Sequence, residues 1–170
     1  QACAACGQLI LMNNFKKAFA KKKIKVAQIL LTYSDTEDRR RSLNSRETIF
    51  ELVKYSIIPI INENDTVATD ELKFGDNDRL AARVSQIISA DHLFLLSDVN
   101  GLYTKNPKIN KKAKLIEKID VIDESHFKMA GSYTNIHGTG GMQTKIEAAK
   151  IAANSGCTTT VSYTHLTLPT

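Results

Sequence analysis

The sequence predicts an α/β fold built on a parallel sheet, and two observations favour it. Short apolar stretches of strand length, such as 57–61 and 93–96, alternate with longer segments of helical periodicity. This alternation is typical of parallel sheets, because two parallel strands need a crossover connection that is usually a helix. In addition, polar loops rich in Asn and Asp follow predicted strands, which is where α/β folds place their ligands.

Four elements are predicted in the first part of the chain. A helix over 2–21 is indicated by apolar residues that recur at helical spacing, namely Leu9, Met12, Phe15 and Phe19. A strand over 26–31, an amphipathic helix over 46–54 and a strand over 57–61 follow it. Pro59 fits such a strand only near an end, because proline has no N–H to donate to a neighbouring strand.

The alternation continues in the rest of the chain. A helix over 79–89 is predicted, with Asn77 or Asp78 as its cap, because either side chain can accept bonds from the N–H groups of the first turn. The later segments are predicted to be a buried strand over 92–96, a loop over 97–103, a polar segment over 104–119, a short helix over 123–130, a flexible segment over 131–141 and a helix over 142–154. Gly156 stops the last helix.

Composition indicates an ordinary globular protein. The 170 residues are 42% hydrophobic and 24% charged, which is enough apolar material for one core. Three cysteines are too few for a disulfide framework, so we expect a reduced, cytoplasmic protein. No apolar stretch approaches the roughly 20 residues that span a bilayer, and we expect no membrane association. The net charge of +5 comes from lysine and arginine runs without aromatic interleaving, so we do not expect nucleic-acid binding.

Two clusters of carboxylate and amide side chains lie between the strand at 57–61 and the next helix: Asn62, Glu63, Asn64 and Asp65, then Asp76, Asn77 and Asp78 after Gly75. Loops of this composition are commonly turns, because Asn and Asp side chains bond their own backbone. The alternative is a pocket for an amino acid. Its carboxylates would bind the ammonium group, its amides the carboxylate, and one Asp would orient cationic groups around a phosphate.

The segment from Gly138 to Lys145 combines small residues with the start of a helix. Small residues let backbone N–H groups approach an anion, the helix directs its positive end at it, and Lys145 adds a full charge. The plain alternative is a hinge before a helix. Together with the acidic clusters, the segment suits phosphoryl transfer to a carboxylate, which is ionised at neutral pH and needs no general base. The CxxC of Cys3 and Cys6 has no further ligands, so we predict no metal site.

Four ordered stretches resemble the amino acid kinase family, in the branch that phosphorylates glutamate: 59–67, 74–78, 95–103 and 138–145. The resemblance covers residues 1–156. It is specific, because the pairing of Asn-Glu-Asn-Asp with Gly-Asp-Asn-Asp separates this branch from aspartate, acetylglutamate, carbamate and uridylate kinases. It implies a three-layer α/β sandwich with a mainly parallel central sheet. It also implies ATP-dependent phosphorylation of the γ-carboxylate of L-glutamate to γ-glutamyl phosphate, the first step of proline biosynthesis.

The resemblance also implies roles for individual residues by matching position. Asp65 and Asn77 would bind glutamate, while Asp78 and Lys145 would be catalytic, with Asp78 organising the lysines around the transferring phosphoryl group. The implied nucleotide site consists of Ser97, Asp98, Thr139, Gly140, Gly141, Met142, Gln143, Thr144 and Lys145. The implied cofactors are ATP and Mg²⁺, and the implied partners are L-glutamate, proline as a feedback inhibitor and further copies of the chain in a homo-oligomer.

The sequence departs from the family pattern in three ways. The family's first strand, its lysine with a Gly-Ser-Ser phosphate loop and its Ser-Ser-Gly-Ala segment do not occur here, and Ser97 stands where Thr is usual. The sequence also stops before the final strands and helices that the resemblance implies for the kinase domain. We therefore expect residues 1–160 to be a kinase domain without its N-terminal phosphate-loop segment and its C-terminal end, inactive as a fragment. Residues 161–170 are interpreted as a non-native tail, so His165 is assigned no function.

Two alternative functions stay open at the level of sequence. Another amino acid kinase would act on aspartate or on a nucleoside monophosphate rather than on glutamate. A glutamate- or proline-binding module would use the pocket of Asp65 and Asn77 without turnover, and would bind its ligand without releasing ADP.

Overall fold

Two pairs of parallel strands organise the chain. The structure, a computed structural model, describes residues 2–68, 74, 76–107, 109–131 and 141–163. It divides into two units, Gln1–Leu80 and Ala81–Thr170, and each unit contains one of the strand pairs. Helices alternate with the strands along both units. The predicted α/β class and the parallel pairing are therefore confirmed.

The first unit pairs strand β1 with strand β2. Its elements are, in chain order, helix α1 (Ala2–Ala20), strand β1 (Lys25–Leu31), helix α2 (Tyr33–Glu37), helix α3 (Arg39–Lys54) and strand β2 (Ile57–Glu63). Leu31, the last residue of β1, lies opposite Glu63, the last residue of β2. Because the strands are parallel and end level with each other, the residues that follow them meet at one edge. Helix α3 packs on β2 and buries Ile49.

Two details predicted for the first unit are corrected. Helix α3 begins at Arg39 rather than at 46, because the Asp38 carboxylate accepts a hydrogen bond from the Arg41 N–H at 2.8 Å and caps the helix. Pro59 is the third of the seven residues of β2 and lies opposite Ala27, not near an end of the strand. Among the residues that the structure describes, this sheet has two strands, so β2 is an edge strand. Edge strands accommodate proline because one side of their backbone has no partner strand.

Helix α1 has the predicted span but not the predicted burial. It contacts β1, yet none of its residues is buried. Leu9 is 77% exposed and Phe15 is 36% exposed, so the apolar residues at helical spacing do not form a covered face in the described structure. Neither α1 nor any other helix among the described residues is long and apolar enough to cross a membrane.

The second unit pairs strand β3 with strand β4. Its elements are the end of helix α4 (Asn77–Ile87), which begins in the first unit, strand β3 (His92–Ser97), helix α5 (Glu124–Gly131), helix α6 (Met142–Ala153) and strand β4 (Thr158–Tyr163). The strands are parallel, with His92 opposite Thr158 and Ser97 opposite Tyr163. Helix α6 packs on β4. One buried cluster joins these elements and consists of Ala82, Leu95, Ala148, Ala152 and Cys157.

The prediction that β3 is a buried strand is wrong for one face of the strand. Leu95 is buried in the core, but Phe94 and Leu96, which point the opposite way, are 63% and 62% exposed in the described structure. Strand β4 also includes residues 161–163, the first part of the segment interpreted as a tail. Residues 132–140 and 164–170 lie outside the described residues, and the non-native origin of the tail stays a prediction.

Helix α2 begins with a pair of reciprocal hydrogen bonds between Thr32 and Asp35. Asp35 Oδ2 accepts from the Thr32 N–H at 2.7 Å, and Thr32 Oγ1 accepts from the Asp35 N–H at 3.3 Å. Burial raises the pKa of Asp35, but the Thr32 hydrogen bonds and the nearby Arg41 outweigh burial, so this pKa lies below its ordinary value of 3.8. The ionised carboxylate therefore stabilises the fold.

We expect acid to remove this contribution. Because the pKa of Asp35 is lowered by folding, its stabilising effect is complete above the unfolded value of 3.8 and is lost as the pH falls through the lower folded value. The free energy of unfolding, measured with urea, should fall more steeply below about pH 4 in the parent than in Asp35→Asn. Identical pH profiles would contradict the capping role.

Two glycines should respond to alanine in opposite directions. Gly156 turns the chain after α6 with a φ of +78°, whereas Gly7 lies inside helix α1, where an added Cβ would meet nothing within 4 Å apart from its chain neighbours and the adjacent backbone of its own helix. We expect Gly156→Ala to lower the free energy of unfolding by about 1 kcal/mol, because side chains disfavour the left-handed conformation. Gly7→Ala should raise it by about 0.5 kcal/mol, because glycine is a poor helix former. Urea unfolding checks both signs.

Candidate active site

A cavity of about 290 Å³ lies beside the carboxyl end of β2 in the first unit. Its walls come from α1, from β1 and from the residues at and after the end of β2: Ala4, Ala5, Gln8, Leu9, Gln28, Leu30, Glu63, Asn64, Asp65 and Thr66. Asp65, predicted to bind the amino acid, is thus placed in a cavity wall. Asn62 and Glu63, expected in the loop, are instead the last residues of β2.

Gln8 belongs to this cavity wall and was not predicted from the sequence. Its Oε1 accepts a hydrogen bond from Asn62 Nδ2 at 3.0 Å, which ties α1 to the end of β2. Its Nε2 is buried and has no hydrogen-bond partner among the described residues. A single glutamine in a helix has no spacing pattern that distinguishes it, so the sequence contained no signal for this contact.

Phe74 connects the two predicted clusters of carboxylate and amide groups. The Phe74 N–H donates to Glu63 Oε1 at 2.9 Å, and the Phe74 C=O accepts from Arg79 Nη1 at 3.4 Å. One bond reaches the end of β2 and the other reaches the first turn of α4, where Asn77 and Asp78 lie. The structure therefore brings the segment with Asp78 to the same edge as the first cluster.

Asp76, not Asn77 or Asp78, caps helix α4. Asp76 Oδ1 accepts from the Arg79 N–H at 2.9 Å, and Asp76 Oδ2 lies 3.8 Å from Arg79 Nε. Burial raises the pKa of Asp76 above its ordinary value of 3.8, and the hydrogen bond and charge of Arg79 offset only part of that rise. The predicted cap is wrong because the helix begins at Asn77, so the residue before it takes that position.

Ser97 and Asp98 lie at the carboxyl end of β3 in the second unit. Ser97 is the last residue of the strand rather than the first of the loop, and it lies opposite Tyr163. Its Oγ accepts a hydrogen bond from the Val99 N–H at 3.4 Å, so the hydroxyl helps to shape the turn that follows the strand. Asp98, the next residue, is exposed.

The N-cap residue of helix α6 provides no side-chain cap. Gly141 is the N-cap residue, has extended backbone angles and provides no side-chain hydrogen bond, and the first turn contains no acidic residue. Thr144 Oγ1 donates to the Gly141 carbonyl at 2.8 Å, so this hydroxyl stabilises the turn. A helix start of this kind favours an anion, because its N–H groups and dipole present positive charge. Thr139 and Gly140, predicted to continue this site, lie outside the described residues.

Apolar packing holds the loop after β3 against the start of α6. The buried cluster contains Leu102, Ala130, Met142 and Ile146, and Val99 packs against it. The two predicted parts of the nucleotide site, Ser97 with Asp98 and the residues 141–145, are therefore anchored by one cluster within the second unit. Met142 itself is only 4% exposed, so its side chain serves the core.

The chain belongs to the amino acid kinase family: the model of that family matches residues 1–161. Among similar curated proteins are the glutamate 5-kinases of Pelagibacter ubique, Nitrobacter winogradskyi and Carboxydothermus hydrogenoformans. They are 59%, 52% and 49% identical to this chain, each over 92% of its length. The chain spans only 43%, 41% and 42% of the length of these relatives.

We expect the cap of α4 to be detectable by mutation. Asp76→Ala should lower the free energy of unfolding by about 1 kcal/mol, because the Arg79 N–H loses its acceptor. Asp76→Asn should cost less, since an amide oxygen still caps the helix and no buried charge remains. Asn77→Ala, the control at the exposed neighbouring position, should change the free energy by less than about 0.5 kcal/mol. An equal loss in Asn77→Ala, measured by urea unfolding, would contradict the assignment.

Proposed function

We propose that this chain contains the glutamate- and phosphate-binding parts of an enzyme that transfers the γ-phosphoryl group of ATP to the γ-carboxylate of L-glutamate. The observation that supports this most strongly is the 59% identity, over 92% of the chain, to a glutamate 5-kinase. The cavity beside β2 supports it as well, because its walls combine carboxylate and amide groups of the kind that an amino acid requires.

The amino acid would bind at the edge of β1 and β2. Asp65 lies in the cavity wall, where its carboxylate would accept hydrogen bonds from the substrate ammonium group. Asn77 is exposed in the first turn of α4 and would donate from its amide to a substrate carboxylate. The bonds of Phe74 to Glu63 and Arg79 support this division of roles, because they hold the two segments at one edge.

The nucleotide would bind at the carboxyl end of β3 and at the start of α6. Ser97 and Asp98 would line the nucleoside part of this site. The residues 139–145 would cover the phosphates, with the backbone N–H groups at the start of α6, whose N-cap Gly141 has no capping side chain, directed at them. Lys145, in the first part of that helix, would add a positive charge where charge develops during transfer.

The reaction needs no general base. A glutamate γ-carboxylate is ionised at neutral pH, so one of its oxygens can bond to the γ-phosphorus while the bond to the bridging oxygen of ADP breaks. Lys145 would stabilise the transferring group, and Asp78 would orient the lysines around it. Mg²⁺ neutralises phosphate charge in such reactions. The described residues contain no group of three or more His, Cys, Asp or Glu that could hold a metal ion, so we assign Mg²⁺ no protein ligand.

The enzyme would catalyse the first step of proline biosynthesis in the cytoplasm. It would be a homo-oligomer, and proline would be its feedback inhibitor. The name of the relatives supports the biosynthetic step. Proline has an α-ammonium and an α-carboxylate like those of glutamate, so a site that recognises this pair suits both molecules.

The test is a glutamate-dependent assay with ATP and Mg²⁺ in which hydroxylamine traps γ-glutamyl phosphate. It uses this chain and a version extended at both ends with the corresponding segments of the Pelagibacter ubique relative. We expect hydroxamate from the extended protein only. Lys145→Met and Asp78→Asn in that protein should each lower the rate at least about 100-fold, because they remove charge from the transferring group or from its organisation.

Lys150→Met is the matched control for Lys145→Met. Lys150 lies on the same helix, is exposed and is placed 5.8 Å from the centre of the Phe127 ring, so its loss should leave the rate unchanged. An extended protein that binds glutamate or proline but forms no hydroxamate would support the binding module instead. Activity on aspartate or a nucleoside monophosphate without glutamate would support another amino acid kinase.

A further inference from the structure

We propose that Glu63 is a positioning residue of the active site, which acts on Asn77 and Asp78 through the backbone of Phe74. This inference rests on the proposed function, because it assigns the placement of residues that the proposed reaction uses. Glu63 itself needs no contact with the substrate in this role. Its carboxylate fixes the segment that leads into α4 at the end of β2.

The contact between Glu63 and Phe74 is a strong structural restraint. The hydrogen bond from the Phe74 N–H to Glu63 Oε1 is 2.9 Å long and joins residues 11 apart in sequence. Phe74 is 2% exposed, and its ring centroid lies 5.5 Å from that of Tyr33 in α2. The Phe74 side chain is thus anchored in the first unit. The Phe74 N–H needs an acceptor, because a buried N–H without one costs about 1–3 kcal/mol.

The restraint continues from Phe74 into the first turn of α4. Its carbonyl accepts from Arg79 Nη1 at 3.4 Å, and the Arg79 N–H donates to the capping carboxylate of Asp76 at 2.9 Å. Asn77 and Asp78 lie in sequence between Asp76 and Arg79, which are joined by this hydrogen bond. Small displacements of reacting groups have large effects on rate. A residue that fixes this turn therefore affects the rate of the reaction without contacting the substrate.

A direct role for Glu63 predicts a different mutational pattern. Glu63 also lines the cavity, so its charge could instead bind the substrate ammonium group, as proposed for Asp65. In a positioning role the necessary property is one acceptor oxygen for the Phe74 N–H, which a glutamine amide also supplies. In a direct role the necessary property is the negative charge, which glutamine lacks.

The experiment compares Glu63→Gln, Glu63→Met and Asp65→Asn in the extended protein described above. We expect Glu63→Gln to keep kcat and the KM for L-glutamate within about threefold of the parent, because the acceptor oxygen remains. Glu63→Met should lower kcat/KM for L-glutamate at least about tenfold, because the turn with Asn77 and Asp78 is no longer fixed. Asp65→Asn also replaces a carboxylate by an amide. It should nevertheless raise the KM for L-glutamate, because the charge of Asp65 is proposed to bind the substrate ammonium group.

Hydrogen exchange of backbone amides gives a readout that does not depend on turnover. The Phe74 amide and the amides at the start of α4 should exchange faster in Glu63→Met than in the parent and Glu63→Gln. If Glu63→Gln raises the KM for L-glutamate as Asp65→Asn does, Glu63 contacts the substrate by its charge and the inference is overturned, even if Glu63→Met does not fold. Unchanged exchange in a folded Glu63→Met also overturns it. A parent without kinase activity that shows the expected exchange pattern contradicts the proposed function only.

Discussion

Parallel pairing of the strands is the constraint on which the placement of the candidate residues depends. Because β1 and β2 end level with each other, the residues after both strands meet at one edge. The same geometry places the end of β3 beside the end of β4. The helices between the strands supply the buried surface on which each strand pair packs, as α3 does on β2 and α6 on β4.

The helices differ in whether a side chain caps their first turn. Helices α2, α3 and α4 begin with Thr32, Asp38 and Asp76, whose side chains satisfy free N–H groups of the first turn. Helix α6 begins with Gly141, which has no side chain to do so. In the first three helices, side chains of the protein therefore accept hydrogen bonds from N–H groups of the first turn. The start of α6 is the one among these four that suits an external anion, in agreement with the phosphate site proposed for it.

The sequence was sufficient for most of the order of elements, although not for helix α2 or strand β4, and it was not sufficient for the contacts between elements. Periodicity predicted the span of α1 and three of the four strands that the structure describes, β1, β2 and β3, because it depends on local geometry alone. It did not predict that Leu9 is exposed, nor that Gln8 bonds to Asn62, because these contacts join residues far apart along the chain. The cap of α4 was misplaced by one or two residues for a related reason, since several neighbouring Asn and Asp residues suit the same position.

The three free cysteines differ in burial, and this difference makes them local reporters of structural opening. Cys3 and Cys6 are exposed on α1, whereas Cys157 is buried in the core cluster of the second unit. A thiol reagent added to the native chain modifies the exposed pair directly but reaches Cys157 only when this core cluster opens. The rate of modification at Cys157 therefore measures the free energy of that opening, and a ligand at the phosphate site proposed for the start of α6 would slow labelling at Cys157, which lies just beyond the other end of that helix.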